Sequence, residues 1–362
     1  MDNKPSKKEH APAYLQLYMQ MRSNIIEGIY PFGSKLPSKR ILAAEAGVST
    51  VTVEHAYALL CDEGYIESRQ RSGYFVCFRT DDGFAATAAT VTASAPAAQQ
   101  PSDTPDFPFS VLTRTMRGVI GDYGHGILQR SPNAGCLQLR SAIARYLARS
   151  RGIHAEPEQI VIGSGAEYLY SLIVSVLGRE RSYGIEFPSY SMIRQVYEAS
   201  GAALQMLPLG SDGIESSALW ASTADVLHIT PYRSFPSGVT ATASKRHEYL
   251  RWAEDGKYIV EDDFESEFSV SRKPEETLFS LSGKENVIYM NSFSKTVSAS
   301  LRVGYMVLPK SLLPDFEKSV GFYSCTVPTY IQLVLASILD SGDFERHINR
   351  VRRQKRKELS ER

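Results

Sequence analysis

With 362 residues, 43% of them hydrophobic and 22% charged, the chain can bury a large core and is expected to hold more than one domain. Forty basic side chains balance forty acidic ones, so net charge neither points to nor excludes a nucleic-acid partner. No run approaches the roughly 20 apolar residues of a membrane span, and Met1 to His10 lacks the apolar stretch of a secretion signal. This argues against a membrane protein and for the cytoplasm. The four cysteines, Cys61, Cys77, Cys136 and Cys325, are far apart and form no Cys-x-x-Cys pair, so they read as reduced thiols and not as a disulfide framework or zinc site.

Tyr14, Leu17, Tyr18, Met21, Ile25 and Ile29 recur at helical spacing, and Gly28, Pro31 and Gly33 end that helix. A second helix is expected after Pro37, with Ser38 as its cap, Leu42 and Ala46 facing inward and Gly47 turning with positive φ. Ser49 caps a third helix running to Tyr65, and 66–78 reads as two short strands around Arg69, Gln70, Arg71, Ser72 and Gly73. Two helices joined by a glycine turn and followed by a small hairpin make a winged helix-turn-helix. Residues 1–80 hold ten Lys or Arg against eight Asp or Glu, which predicts modest DNA affinity for a single copy.

Those residues, LPSKRILAAEAGVSTVTVEHAYALLCDEGYIESRQRSGYFV, resemble the winged-helix domain of GntR-type regulators. The resemblance implies that Ser38, Lys39, Arg40, Ser49, Thr50, Thr52, Arg69, Arg71 and Gly73 lie along double-stranded operator DNA. Hydroxyls and backbone N–H groups at helix N-termini suit phosphate, and arginine supplies forked donors. Thr50 stands where the family commonly has arginine, and Glu54 and His55 make the recognition helix poorly basic. A helical dimerisation or protein-binding module on the same fold is the competing reading of 11–79.

From 80 to 105 the chain is rich in Ala, Thr, Ser, Pro and Gln, has no sustained apolar period and reads as a flexible linker. Beyond it, 106–362 alternates amphipathic helices with short β-branched runs, the pattern of a mainly parallel sheet in an α/β domain. Leu139, Ile143, Tyr146 and Leu147 mark a helix. Strands are expected at 159–162, 183–187, 226–230, 258–263, 287–293 and 303–308. The first runs into Ser164-Gly165-Ala166 and a helix, an arrangement that serves either anion binding or close helix–strand packing. Tyr190, Ser237, Asp262, Ser292, Lys295 and Arg302 gather at C-terminal strand ends, where open α/β sheets bind ligands. A lysine there can join an aldehyde cofactor as a Schiff base, an acid can protonate a pyridine nitrogen, and hydroxyl, N–H and arginine groups can hold a phosphate.

The ordered segments LQLRSAIARYLARSRG, IVIGSGAEYLY, EFPSY, TPYRSFPSG, YIVEDDFESEF and NSFSKTVSASLRVGY resemble fold-type I aminotransferases, and in particular the aminotransferase-like domain of MocR-type regulators. The resemblance implies pyridoxal 5'-phosphate on Lys295, Asp262 beside its pyridine nitrogen, and Tyr190 over its ring. Ser164, Gly165, Ala166, Ser292 and Arg302 would bind its phosphate. The preference for Asp262 over Asp263 comes from the family motif, since a fully buried strand gives no period. Phe264 stands for the usual tyrosine, Arg233-Ser234 for a His-Gln pair and Glu167 for a glutamine. Family members continue beyond the basic run RHINRVRRQKRKELSER, read here as a solvated helix face, so an incomplete small domain is expected. These features imply a homodimeric regulator that senses a small amino compound or the cofactor itself, with slow or absent turnover. The competing readings are an active aminotransferase with an accessory DNA domain, and a large domain that has lost its cofactor and only dimerises.

Overall fold

The computed structural model describes residues 12–79, 107–254, 256–263, 266–269, 276–282 and 286–360. It divides into two units, 1–98 and 99–362. The expected linker at 80–105 lies outside the described residues.

The small unit holds α1 (Ala13–Ile26), α2 (Lys39–Glu45), α3 (Thr50–Asp62), β1 (Ile66–Arg69) and β2 (Gly73–Val76). Serine caps start the second and third helices: Ser38 Oγ accepts from Ile41 N at 3.3 Å and Ser49 Oγ from Thr52 N at 3.1 Å. Leu17, Tyr18, Met21 and Ile25 of α1 pack on Leu42, Ala43, Val53, Ala56, Tyr57 and Leu60. Three expected inward residues are exposed. Tyr14 lies in the first turn of α1, Ile29 lies beyond its end after Gly28 (φ +78°), and Ala46 is the C-terminal cap of α2, whose inner face is Leu42 with Ala43. The third helix stops at Asp62 and not at Tyr65, because Gly64 (φ +75°) turns the chain and the Tyr65 carbonyl already accepts from Cys77 N at 3.0 Å. The hairpin pairs antiparallel from Ile66↔Val76 to Arg69↔Gly73. An unexpected extended segment runs along its other side, with Gly33 N donating to Val76 O and Leu36 N to Tyr74 O.

In the large unit the chain runs through α4 (Phe109–Tyr123), α5 (Leu137–Arg151), β3 (Ile160–Gly163), α6 (Ala166–Leu177), β4 (Ser182–Phe187), α7 (Ser191–Ala199), β5 (Ala203–Pro208) and α8 (Ser216–Ala221). It continues through β6 (Val226–Ile229), α9 (Ala243–Trp252), β7 (Tyr258–Asp262), α10 (Leu278–Leu281), β8 (Val287–Ser292) and β9 (Gly304–Val307), then α11 (Leu313–Val320), α12 (Thr329–Asp340) and α13 (Asp343–Ser360). The strands form one sheet in the order β3-β9-β8-β7-β6-β4-β5. β4 to β8 run parallel, and β9 is antiparallel to both neighbours.

Helices cover both faces, so the inner strands are buried and mostly apolar yet still alternate in what they touch. Val161, Val260, Ile288, Met290 and Met306 pack with α6, α7 and α11. Ile160, Ile162, Tyr289, Tyr305 and Val307 pack with α5, α12 and the start of α13. Two elements differ from expectation. β5 (ALQMLP) was not foreseen: it is a partly exposed edge strand without a β-branched residue. The basic helix α13 is also not simply a solvated face, since Phe344, His347, Ile348 and Val351 recur at 3–4-residue spacing and are buried.

Candidate cofactor site and candidate nucleic-acid face

The register of three strands draws most of the expected large-unit residues together. Gly163 of β3 and Ser292 of β8 both pair with Gly304 of β9. Because β9 runs against its neighbours, the residues before it leave the sheet at the edge where those after β3 and β8 leave. Ser164-Gly165-Ala166, Ser292 with Lys295, and Arg302 therefore meet at one edge. Phe293 N donates to Val303 O at 2.8 Å and closes the base of the loop holding Lys295 and Arg302. Lys295 is exposed in a turn of that loop. Arg302 adopts the left-handed conformation, φ +49°, uncommon for a residue with a side chain.

The Ser164–Ala166 turn makes the anion cradle. Gly165, at φ +95°, precedes α6, whose first turn has no side-chain cap, so free N–H groups face the turn. A Cβ on Gly165 would lie 2.8 Å from Arg302 Nη2, 3.1 Å from its Cζ and 3.4 Å from Glu167 Oε2. The glycine thus lets a guanidinium lie directly over the turn.

Asp262, 7% exposed, ends β7 across from Met290. Its Oδ2 accepts from Tyr170 Oη at 2.7 Å and stands 3.5 Å from His228 Nε2. The other ring nitrogen of His228 meets Tyr197 Oη at 2.7 Å. Burial, then the Asp262 charge, hold the Tyr170 phenol well above its ordinary pKa, so it stays a donor. Asp263 points to the opposite face, where Arg151 Nη2 lies 2.8 Å away and Tyr289 Oη donates at 2.6 Å. Tyr170, Tyr197 and His228 were not singled out from sequence. A histidine inside the apolar run VLHI was the available signal.

Tyr190 is the residue before the first turn of α7, just after β4; it is exposed, and its ring is edge-on to Phe235 at 6.3 Å. Ser234 Oγ and Thr230 Oγ1 both donate to buried Glu186 Oε2, at 2.8 and 2.6 Å. Ser237 and Arg233 are exposed on the same connection. Phe264 lies outside the described residues.

The donor set fits pyridoxal phosphate: a glycine cradle under an arginine, an uncapped helix start, a reachable lysine, and a carboxylate held by Tyr170 beside a histidine. Those residues are Ser164, Gly165, Ala166, Ser292, Lys295, Arg302 and Asp262.

In the small unit, Ser38, Lys39 and Arg40 lie at the start of α2, and Ser49, Thr50 and Thr52 at the start of α3. Lys39 Nζ donates to Glu54 Oε1 at 2.6 Å, which holds the Glu54 carboxyl below its usual range. Arg69 pairs with Glu67 at 2.6 Å and lies 4.4 Å over the Phe75 ring. Arg71 is exposed at the hairpin tip at φ +61°. Gly73 (φ +105°) would place a Cβ 3.2 Å from Lys35 Cε. Lys35 is a further exposed cation beside the wing that the sequence reading missed.

Residues 13–76 match the family model of bacterial regulatory proteins of the gntR family, and 107–362 match aminotransferase class I and II. The HTH-type transcriptional regulator YdeL of Bacillus subtilis is 35% identical over 96% of this chain and 77% of its own length. The chain belongs to the GntR-type regulators fused to an aminotransferase domain. Within this MocR-like group, the probable rhizopine catabolism regulatory protein MocR of Rhizobium meliloti is 31% identical over 94% of this chain and 74% of its own. Among solved structures, the α-aminoadipate aminotransferase LysN of Thermus thermophilus superposes with a TM-score of 0.61 at 28% identity, over 68% of this chain and 64% of that one. A kynurenine aminotransferase of Pyrococcus horikoshii gives 0.63 at 25%, over 69% and 65%. The MocR-like chain thus spans about three quarters of these curated relatives and under two thirds of these aminotransferase chains. Its large unit has the pyridoxal-phosphate-dependent aminotransferase fold, and its small unit is a DNA-binding winged helix. No helix among the described residues is long and apolar enough to cross a membrane.

Proposed function

We propose that this MocR-like protein is a cytoplasmic, homodimeric regulator that holds pyridoxal 5'-phosphate on Lys295 and binds operator DNA through Ser38–Arg40, Ser49–Thr52 and the Arg69–Gly73 wing. Binding of a small amino compound, or of the cofactor itself, would change its grip on DNA. The observation that carries this reading is the convergence of the Gly165 cradle, Ser292, Lys295 and Arg302 on one sheet edge. Pyridoxal phosphate, when bound, supplies an aldehyde that condenses reversibly with amines. Arg302, Ser292 and the N–H groups of α6 grip the phosphate, and Lys295 supplies the amine. Asp262, kept in place by Tyr170, holds a proton at the pyridine nitrogen.

The experiment is an absorbance titration of purified protein with and without borohydride. Near-visible absorbance that becomes reducible, and that disappears in Lys295→Ala, is the expected result. A reducible chromophore in the mutant would assign the linkage to another lysine.

A working aminotransferase is the second reading, favoured by the likeness to LysN, whose structure was solved with N-(5'-phosphopyridoxyl)-L-leucine. Many product molecules per cofactor, counted with candidate amino acids and a keto acid, would establish turnover.

A further inference from the structure

Arg302 Nη2 is 2.5 Å from Glu167 Oε2, and this pair lies directly over Gly165. Glu167 is also in the first turn of α6, where a carboxylate gains from the same partial positive charge and free N–H groups that attract phosphate. One acid therefore draws on both positive features of the cradle. Summed over side chains, Arg302 and Glu167 leave the cradle neutral. The remaining attraction for a phosphate comes from N–H groups and the hydroxyls of Ser164 and Ser292.

We infer that Glu167 is a built-in competitor for the phosphate group, weakening pyridoxal phosphate binding so that the site loads only at a raised cofactor concentration. The inference rests on the reading of this edge as the cofactor's phosphate cradle. Two anions within reach of one guanidinium repel each other at short range, and Arg302 is half exposed and Glu167 partly so, so screening moderates the effect. A charge-assisted hydrogen bond regained by the phosphate corresponds to a gain of about ten- to a hundredfold. The outcome hangs on a single acid because Arg302 is the one expected phosphate ligand with a full charge.

The test compares the full chain with its Glu167→Gln variant in titrations followed by absorbance and by tyrosine and tryptophan fluorescence, using pyridoxal 5'-phosphate and then unphosphorylated pyridoxal. Glu167→Gln should tighten the phosphate form about tenfold or more and leave pyridoxal within about twofold. Inorganic phosphate should compete for the variant at lower concentration than for the parent. Equal or weaker binding of the phosphate form by Glu167→Gln would overturn the inference and make Glu167 an anchor that orients Arg302. An equal gain for pyridoxal would overturn it too, since the effect would not act at the phosphate. Thermal unfolding of both proteins without ligand separates a change in α6 stability from a change in affinity. If the parent chain shows no Lys295-dependent absorbance with pyridoxal phosphate, the cofactor reading itself fails and this inference falls with it.

Discussion

Single side chains decide how two of the candidate surfaces work. On the DNA face, Lys39 is tied to Glu54 of the recognition helix, so a cation expected to meet phosphate is neutralised by its neighbour. Glu54→Gln should release it, raise operator affinity several-fold, and steepen the plot of log affinity against log salt by about 0.9, the contribution of one phosphate contact. Fluorescence anisotropy over a salt series measures both. An unchanged slope would mean that Lys39 does not reach DNA. In the large unit, the choice between Asp262 and Asp263 could not be read from a strand buried on both faces, which shows no apolar/polar period. Strand phase separates them: Glu261 and Asp263 share one face, and Asp262 turns to Tyr170 and His228. The lysine, the arginine and the small-residue turn were readable because their chemistry is carried by motif spacing. The groups that orient Asp262 were not, because they come from α6, α7 and β6, far apart in sequence.

Short elements here depend on buried polar anchors. Glu261 of β7 accepts from Leu278 N at 2.8 Å and Phe279 N at 2.9 Å at the start of α10, and from Tyr232 Oη. Burial is the main cause that pushes its carboxyl up to about 7, with Asp263 adding to it against those hydrogen bonds. The folded chain therefore holds a proton that the unfolded chain releases near pH 4.5. This contribution to stability is full below pH 4.5 and is lost as pH rises through about 7. Glu267, also buried and pushed up to about 7, acts in the same direction. The melting temperature of the large unit should thus fall between pH 5.5 and pH 8, and Glu261→Gln, which mimics the protonated acid, should flatten that fall by several degrees. Calorimetry at both pH values checks it; an unaltered slope would locate the proton elsewhere. Elements with strong periodicity or caps, such as α1, α3 and α5, were visible in sequence. β5 was not, because an edge strand of Ala, Leu, Gln and Met has the composition of a helix. The buried stripe of α13, Phe344, His347, Ile348 and Val351, was hidden in sequence by the many arginines interleaved with it.

Over the whole molecule, the winged helix carries its own core but little net positive charge, so in the proposed homodimer the affinity is expected to come from joining two copies. A fragment ending near Ala95 should bind a two-half-site operator at least about a hundredfold more weakly than the full chain, with a shallower salt dependence, because linkage raises the effective concentration of the second contact. Anisotropy with both proteins on the same operator is the measurement, and equal affinities would remove the avidity argument. The order of the two units was plain from the change in composition around residues 80–105. The base sequence that the winged helix prefers was not, since it depends on side-chain placement and not on residue type.

A single loop, residues 293–303, joins β8 to β9. Its base is clamped by the bond from Phe293 N to Val303 O, and Lys295 and Arg302 stand seven positions apart inside it. A molecule gripped at one end by the lysine and at the other by the arginine would act as a removable cross-link across that loop. Closing a short loop removes conformational freedom that each grip alone would leave. Loading the site would therefore stiffen the segment that joins two adjacent strands of the sheet, and unloading it would slacken that segment.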